Sequence, residues 1–199
     1  RDVAPSRGLG DVYKRQVLFL SYKAENWNTM DNIYKKYCQE KDIKVIVQCV
    51  PYYYKNIDGT FEKYIDGGMY PEYVTITPIE DYNYVNENPD VIVFQYPYDN
   101  YNSAGTTDPV FYSYNLASHT QKLIYIPYFR TDEIDENDMR AYTNMDAYVT
   151  MPGVVYADKV IVQSEEIRKL YIKKLTDFFG EESEDEWEDK IEAEDIGGI

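Results

Sequence analysis

Histidine and cysteine are nearly missing from this chain: His119 is the one histidine, and Cys38 and Cys49 are the two cysteines, among 199 residues. Two cysteines make neither a disulfide framework nor a zinc pattern, and reduced, buried thiols are the expectation. A lone histidine lacks the orienting partner that a general base needs, so His119, in the polar stretch SHTQK, is expected at the surface. Several motifs are missing too. Without G-x-G-x-x-G after the first strand or G-x-x-x-x-G-K-[ST], neither a dinucleotide grip nor a P-loop is indicated. H-E-x-x-H, Cys/His clusters and G-x-S-x-G are likewise lacking, and no metal site is expected. No apolar run nears the roughly eighteen residues of a membrane span, and 17–20 is too short for a signal-peptide core.

Basic residues are outnumbered, 20 against 36 acids, for a net charge of −16. The imbalance is uneven: residues 181–199 carry ten acids and one lysine, whereas residues 1–16 carry four bases and two acids. A negative body with no clustered basic stripe argues against nucleic acid as a partner and against simple electrostatic docking on anionic lipid.

Tyrosine is abundant, at 23 residues against 7 Phe and 2 Trp. It combines apolar area with a hydroxyl that seeks a partner, which suits surfaces meeting polar ligands such as sugars. The plainer alternative is codon bias filling half-buried positions. With 44% apolar and 28% charged residues the chain is of globular composition, long enough for one proper core.

Residues 1–16, RDVAPSRGLGDVYKRQ, have no apolar period and resemble the translated adapter read-through found at the ends of metagenomic gene fragments. They are expected to be non-native or disordered. Residues 17–22 read as a first strand. Apolar residues at Trp27, Met30, Ile33, Tyr34, Tyr37 and Cys38 then mark one face of a helix, and 43–50 reads as a second buried strand. Strand, helix and strand make a right-handed βαβ unit. Residues 51–78 give turn signals at Asp58-Gly59 and Gly67-Gly68 and a brief strand at 73–77. Short helices are expected at 79–88 and 109–118, strands at 90–94, 122–126 and 159–162, and a helix broken by Pro152-Gly153 within 139–157. Ser164 caps a last helix that Gly180 stops. Residues 181–199 read as a solvated acidic tail with one amphipathic turn on Trp187 and Ile191. The expectation is an α/β fold: a Rossmann-like, open, mostly parallel sheet with helices on both faces, occupying residues 17–180.

Ligands of such sheets bind beyond the carboxyl ends of the strands. That places Tyr96, Tyr98, Asp99 and Asn100, in the loop of DVIVFQYPYDNYN, at a candidate site on an open surface. Asp99 is a weak candidate for a base or a hydroxyl ligand; the alternative is an Asx turn with Asn100. Tyr128 and Arg130 fall on the same edge, with Arg130 either a phosphate ligand or a surface arginine beside the acidic 132–138 loop. Ser164 is a helix cap whose helix start also faces that edge and suits an anion.

The blocks VLFLSYKAENW, VPYYYKNIDGTF, YPEYV, NPDVIVFQYPYDNYN, KLIYIPYF and ADKVIVQSE, in that order, resemble bacterial CDP-glycerol glycerophosphotransferase-like proteins of the teichoic-acid type. The similarity runs from about 17 to about 175 and covers the amino-terminal half of such an enzyme. It implies a glycosyltransferase-B architecture in which this half serves the acceptor and a missing carboxyl-terminal domain holds the donor, CDP-glycerol. The implied reaction transfers glycerol phosphate to a hydroxyl of a glycan or polyol-phosphate acceptor, in the cytoplasm, with the full-length protein associating peripherally with the inner face of the membrane. No cofactor is implied for this half, which alone is expected to be inactive. The polymerases carry a His-Gly pair after the strand matching KLIYI; here Tyr128-Phe129 stands there, so no histidine role carries over. The rival expectation is a non-catalytic Rossmann-like domain that binds a sugar-containing ligand or a protein partner.

Overall fold

A computed structural model describes residues 14–64, 66, 68–135 and 137–197. Strand β1 (Arg15–Ser21) leads through a 3₁₀ turn at Ala24–Asn26 into helix α1 (Asn28–Cys38) and back to β2 (Ile43–Cys49). β1 and β2 pair in parallel, Leu18 opposite Ile46 and Phe19 opposite Val47. Side chains alternate across a strand, so β1 feeds two cores. Val17 and Phe19 pack on Trp27, Met30, Ile33 and Tyr34 of the α1 face. Leu18 and Leu20 pack into the opposite face.

The expected non-native segment loses its last residues to the sheet. Arg15 and Gln16 pair with Ile43 and Lys44, and the Gln16 N–H donates to Asp90 Oδ2 at 2.7 Å. The rest of that expectation, residues 1–13, lies outside the described residues.

Residues 51–78 hold what sequence periodicity did not reveal: β3 (Tyr52–Lys55) and β4 (Phe61–Lys63) form an antiparallel hairpin. The strand expected at 73–77 reduces to one parallel bridge, Val47 to Ile76. The helix expected at 79–88 divides into a 3₁₀ turn, Ile79–Asp81, and the single-turn α2 (Tyr84–Glu87), capped by the Asn83 side chain. Strand β5 (Val91–Phe94) follows, buried throughout, and then β6 (Gly105–Thr107), which pairs antiparallel with β3.

Helix α3 (Ser113–Ala117) precedes β7 (Lys122–Tyr125). The interrupted helix at 139–157 is three short ones: α4 (Met139–Asn144), α5 (Asp146–Val149) and α6 (Pro152–Tyr156), with Pro152 opening the last. β8 (Lys159–Val162) then runs into α7 (Glu165–Phe179), whose Ile167 N–H donates to Ser164 Oγ at 3.2 Å. Buried Lys174 reaches Asp146 Oδ1 at 2.7 Å and lies 3.8 Å from the Tyr142 ring centre, tying α7 to α4 and α5.

The acidic segment keeps the amphipathic turn expected on Trp187 and Ile191, but it is packed on the sheet rather than a solvated tail. Residues 184–190 form α8 (Glu184–Lys190) and residues 191–193 form β9 (Ile191–Ala193), parallel to β8. Trp187 and Ile191 are 3% and 0% exposed, and Trp187 Nε1 donates to Ser183 Oγ at 2.9 Å. The acids of α8 stay outside while Trp187 enters the core and Lys190 is half-buried, which is why composition alone misread the segment as solvated. Cysteine burial is corrected too: both thiols are free, but Cys38 is exposed and Cys49 half-buried.

The architecture is therefore α/β: a six-stranded, all-parallel sheet in the order β2-β1-β5-β7-β8-β9, plus a three-stranded antiparallel sheet, β4-β3-β6. α1 covers one face of the large sheet, and α3 with α5 to α8 covers the other. This is the Rossmann-like open sheet expected from the apolar runs.

Candidate functional site

From β1 the chain moves one way to β2, and from β5 it moves the other way through β7, β8 and β9. The order reverses between β1 and β5, and the crevice beyond their carboxyl ends is the topological switch point where such sheets bind ligands. Gln95, fully buried, spans that crevice. Its Oε1 accepts from the Tyr22 N–H at 2.9 Å, while Nε2 donates to Asn26 O at 2.8 Å and Thr29 Oγ1 at 2.9 Å.

Above the glutamine lies a tyrosine cluster. Tyr22 follows β1, Tyr52 opens β3, and Tyr96 and Tyr98 follow β5; all four are buried, with Tyr64, Tyr128 and Tyr148 packed around them. The Tyr22 ring centre is 5.1 Å from Tyr52, 5.2 Å from Tyr96 and 4.7 Å from Tyr128. The small sheet is the roof. Gly105 leaves room for the Tyr52 ring, since a Cβ there would stand 1.8 Å from its Oη. Tyr96 Oη donates to Gly105 O at 3.2 Å, and Lys55 Nζ donates to Asn100 O and Asn102 O at 2.7 and 2.8 Å. Burial, and then the neighbouring tyrosines, push the phenols of Tyr22, Tyr96 and Tyr98 well above the ordinary range. They are neutral hydroxyls at any physiological pH, fitted to hydrogen bonding rather than to proton abstraction.

The structure brings four of the expected residues to this edge and reassigns several. Tyr96 and Tyr98, expected on an open surface, are 6% and 9% exposed: Tyr96 lies under the small sheet against Tyr52 and Gly105, and Tyr98 packs between Tyr96 and Tyr128. Tyr98 Oη and Tyr128 Oη stand 3.4 Å apart. Asn100 is exposed and offers its carbonyl to Lys55. Arg130 is exposed, as its surface alternative has it, with Asp195 Oδ1 at 3.4 Å and Gly197 O at 3.2 Å as surface partners. Ser164 is engaged as the α7 cap. His119, before β7, is at the opposite edge, edge-on to Tyr84 with ring centres 5.8 Å apart.

Asp99 is neither a free base nor an Asx turn closed on Asn100. It is 7% exposed, in the left-handed region at φ +50°, and both carboxylate oxygens accept from Ser113, one from the backbone N–H and one from Oγ, each at 2.9 Å. It anchors the start of α3. Burial raises its carboxyl above the ordinary range and outweighs the two Ser113 bonds, which lower it. A raised folded-state value contributes stability that is complete below about pH 4 and is lost as the pH rises through the folded value. The ionised form is thus the less favourable one at neutral pH. Asp99→Asn, which accepts from the Ser113 N–H and tolerates positive φ, is expected to match or exceed wild-type stability at pH 7 and to lose ground as the pH falls towards 4. Asp99→Ala, which has neither advantage, costs about 1–3 kcal/mol. Thermal melts of both variants across that range check this; an Asn variant weaker than wild type at neutral pH would refute it.

Reading the sequence missed Lys23, Tyr22, Tyr52, Tyr64 and Gln95. Their signal was position: Tyr22-Lys23 and Tyr52-Tyr53-Tyr54 directly follow strands, at the same sheet edge as the loop after β5. The edge offers tyrosine hydroxyls, aromatic faces and an ammonium. Among the described residues no three His, Cys, Asp or Glu side chains converge on a metal position, and no helix is long and apolar enough to cross a membrane. Comparison of the chain with family models, curated proteins and solved structures returned no match.

Proposed function

We propose that this chain is a ligand-holding domain whose tyrosine-lined switch point receives a hydroxyl-rich acceptor. In this reading it is the acceptor-side half of a glycosyltransferase-B enzyme that moves glycerol phosphate from CDP-glycerol to a glycan or polyol-phosphate, at the inner face of the membrane. The observation that carries the reading is the tyrosine cluster at the reversal point of a parallel sheet, with Tyr54, Tyr64 and Tyr128 at its accessible rim. Aromatic bodies with hydroxyl tips match the alternating apolar and polar faces of sugars and polyols.

A second reading, a non-catalytic domain binding a sugar-containing ligand or a protein, is favoured by one observation. Asp99, the acid of the candidate loop, is engaged by Ser113 through both oxygens. Calorimetric titration with a glycerol-phosphate oligomer and with CDP-glycerol tests the first reading. The oligomer is expected to bind and the nucleotide not to. The Tyr54→Ala/Tyr64→Ala double variant should weaken the oligomer about tenfold, or 1.4 kcal/mol. Undiminished affinity in that variant would remove the rim from the site. Binding of neutral glycans with no response to glycerol phosphate would select the second reading.

A further inference from the structure

Lys23 leaves the carboxyl end of β1 at the switch point and enters the tyrosine cluster. Its Nζ lies 4.9, 5.4, 5.8 and 4.4 Å from the ring centres of Tyr22, Tyr52, Tyr54 and Tyr64. Aromatic faces hold an ammonium by electrostatic attraction to the ring quadrupole, yet they carry no charge that would neutralise it. Among the other lysines that are buried or half-buried, Lys55 donates to two carbonyls, and Lys159, Lys174 and Lys190 each have a carboxylate oxygen within 4.0 Å. Lys23 has none among the described residues, and no hydrogen-bond acceptor either.

Two acids, Asp66 and Glu25, lie close enough to act on Tyr64, but neither pairs with Lys23; Asp66 Oδ2 accepts from the Ala24 N–H at 2.7 Å and its Oδ1 from the Gly68 N–H at 2.9 Å. Lys23 therefore keeps three N–H donors in a half-buried, aromatic-walled position, where a charge is screened less than at an open surface. The Tyr54 and Tyr64 hydroxyls beside it also have no hydrogen-bond partner among the described residues.

We propose that Lys23 is the anion anchor of this edge: an oxyanion carried by the ligand, phosphate or carboxylate, accepts from the Lys23 ammonium and from the Tyr54 and Tyr64 hydroxyls. The four rings fix the side chain in one place, so little rotamer freedom is lost when the anion arrives. The inference rests on the reading of this edge as a ligand site and adds the charge that the ligand must bear.

The test is equilibrium binding of glycerol 3-phosphate, glucuronate and uncharged glucose to wild type, Lys23→Met, Lys23→Gln, Lys23→Arg and the Tyr54→Ala/Tyr64→Ala double variant. Near-UV circular dichroism of the tyrosines verifies folding of each. Both neutral variants are expected to lose about tenfold or more in affinity for the charged probe that binds, and less than about twofold for glucose, with Lys23→Arg close to wild type. Wild-type affinity for the charged probe should fall between about 0.05 and 0.5 M salt, and that dependence should flatten in Lys23→Met. The larger loss, on phosphate or on glucuronate, identifies the source of the anion. Unchanged affinity for charged probes in the folded Lys23→Met or Lys23→Gln protein overturns the anchor, as does failure of wild type to bind either charged probe at about 10 mM. If the double tyrosine variant weakens every probe while the lysine variants weaken none, the ligand site stands and the anchor falls. If neither set has an effect, both fall.

Discussion

Gln95→Leu lowers the stability of this protein by about 3–5 kcal/mol. For a chain of this size that is a fall of roughly 6–20 °C in the thermal midpoint. Leucine fills nearly the same volume, so packing is not what is lost. What is lost is the one partner that the Tyr22 N–H has among the described residues, together with a buried bond to Thr29 Oγ1 and a part-buried one to Asn26 O. Each buried polar group left unpaired costs about 1–3 kcal/mol. The position matters beyond the sum. Gln95 joins the end of β1 to the start of α1 across the one crevice that the sheet topology leaves between diverging connections, so its removal loosens the floor of the tyrosine cluster. A midpoint within about 3 °C of wild type would show that water reaches these groups and that the crevice is not closed as described.

Trp187→Ala is expected to cost about 3–5 kcal/mol, in the range of buried aromatic truncations. Its ring is 3% exposed and lies 5.3 Å from that of Phe179, and its indole N–H donates to Ser183. The helix carrying it also delivers Ile191 to the edge of the sheet. Were residues 181–199 the solvated tail that their ten acids invite one to expect, the same substitution would change stability by no more than about 0.5 kcal/mol. Chemical denaturation separates these outcomes without ambiguity, and a change at the lower figure would return the segment to the solvent.

What was legible in the sequence was what neighbours in sequence decide. The runs that became β1, β2, β5, β7 and β8 are continuous apolar blocks bounded by turn residues. A strand covered on both faces uses such a pattern, and runs this short with turn residues at their flanks do not suit a helix, so the parallel sheet could be read. Ser164 was legible for the same reason, because a cap acts within three residues. The small sheet was not, since Tyr52 pairs with Thr107 across more than fifty residues and tyrosine gives no alternation to follow. Asp99 was misassigned because its partner, Ser113, is fourteen residues away. Arg130 is the surface arginine of the second alternative, but its partners Asp195 and Gly197 were not legible, since they belong to a segment that composition had set aside as tail.

The acidic segment has one more consequence once β9 is recognised as the outermost strand among the described residues. A bare strand edge invites a second chain to add its own strand, the first step of edge-to-edge aggregation. Here the edge is short and bears Glu192, with Glu194 and Asp195 just beyond it. Each of these acids already holds a cation, Lys159, Lys36 and Arg130 in turn, so a strand added along this edge would have to fit around three ion pairs. The acids that made the segment look like solvent-facing filler instead tie the edge strand to β8, to α1 and to the loop after β7.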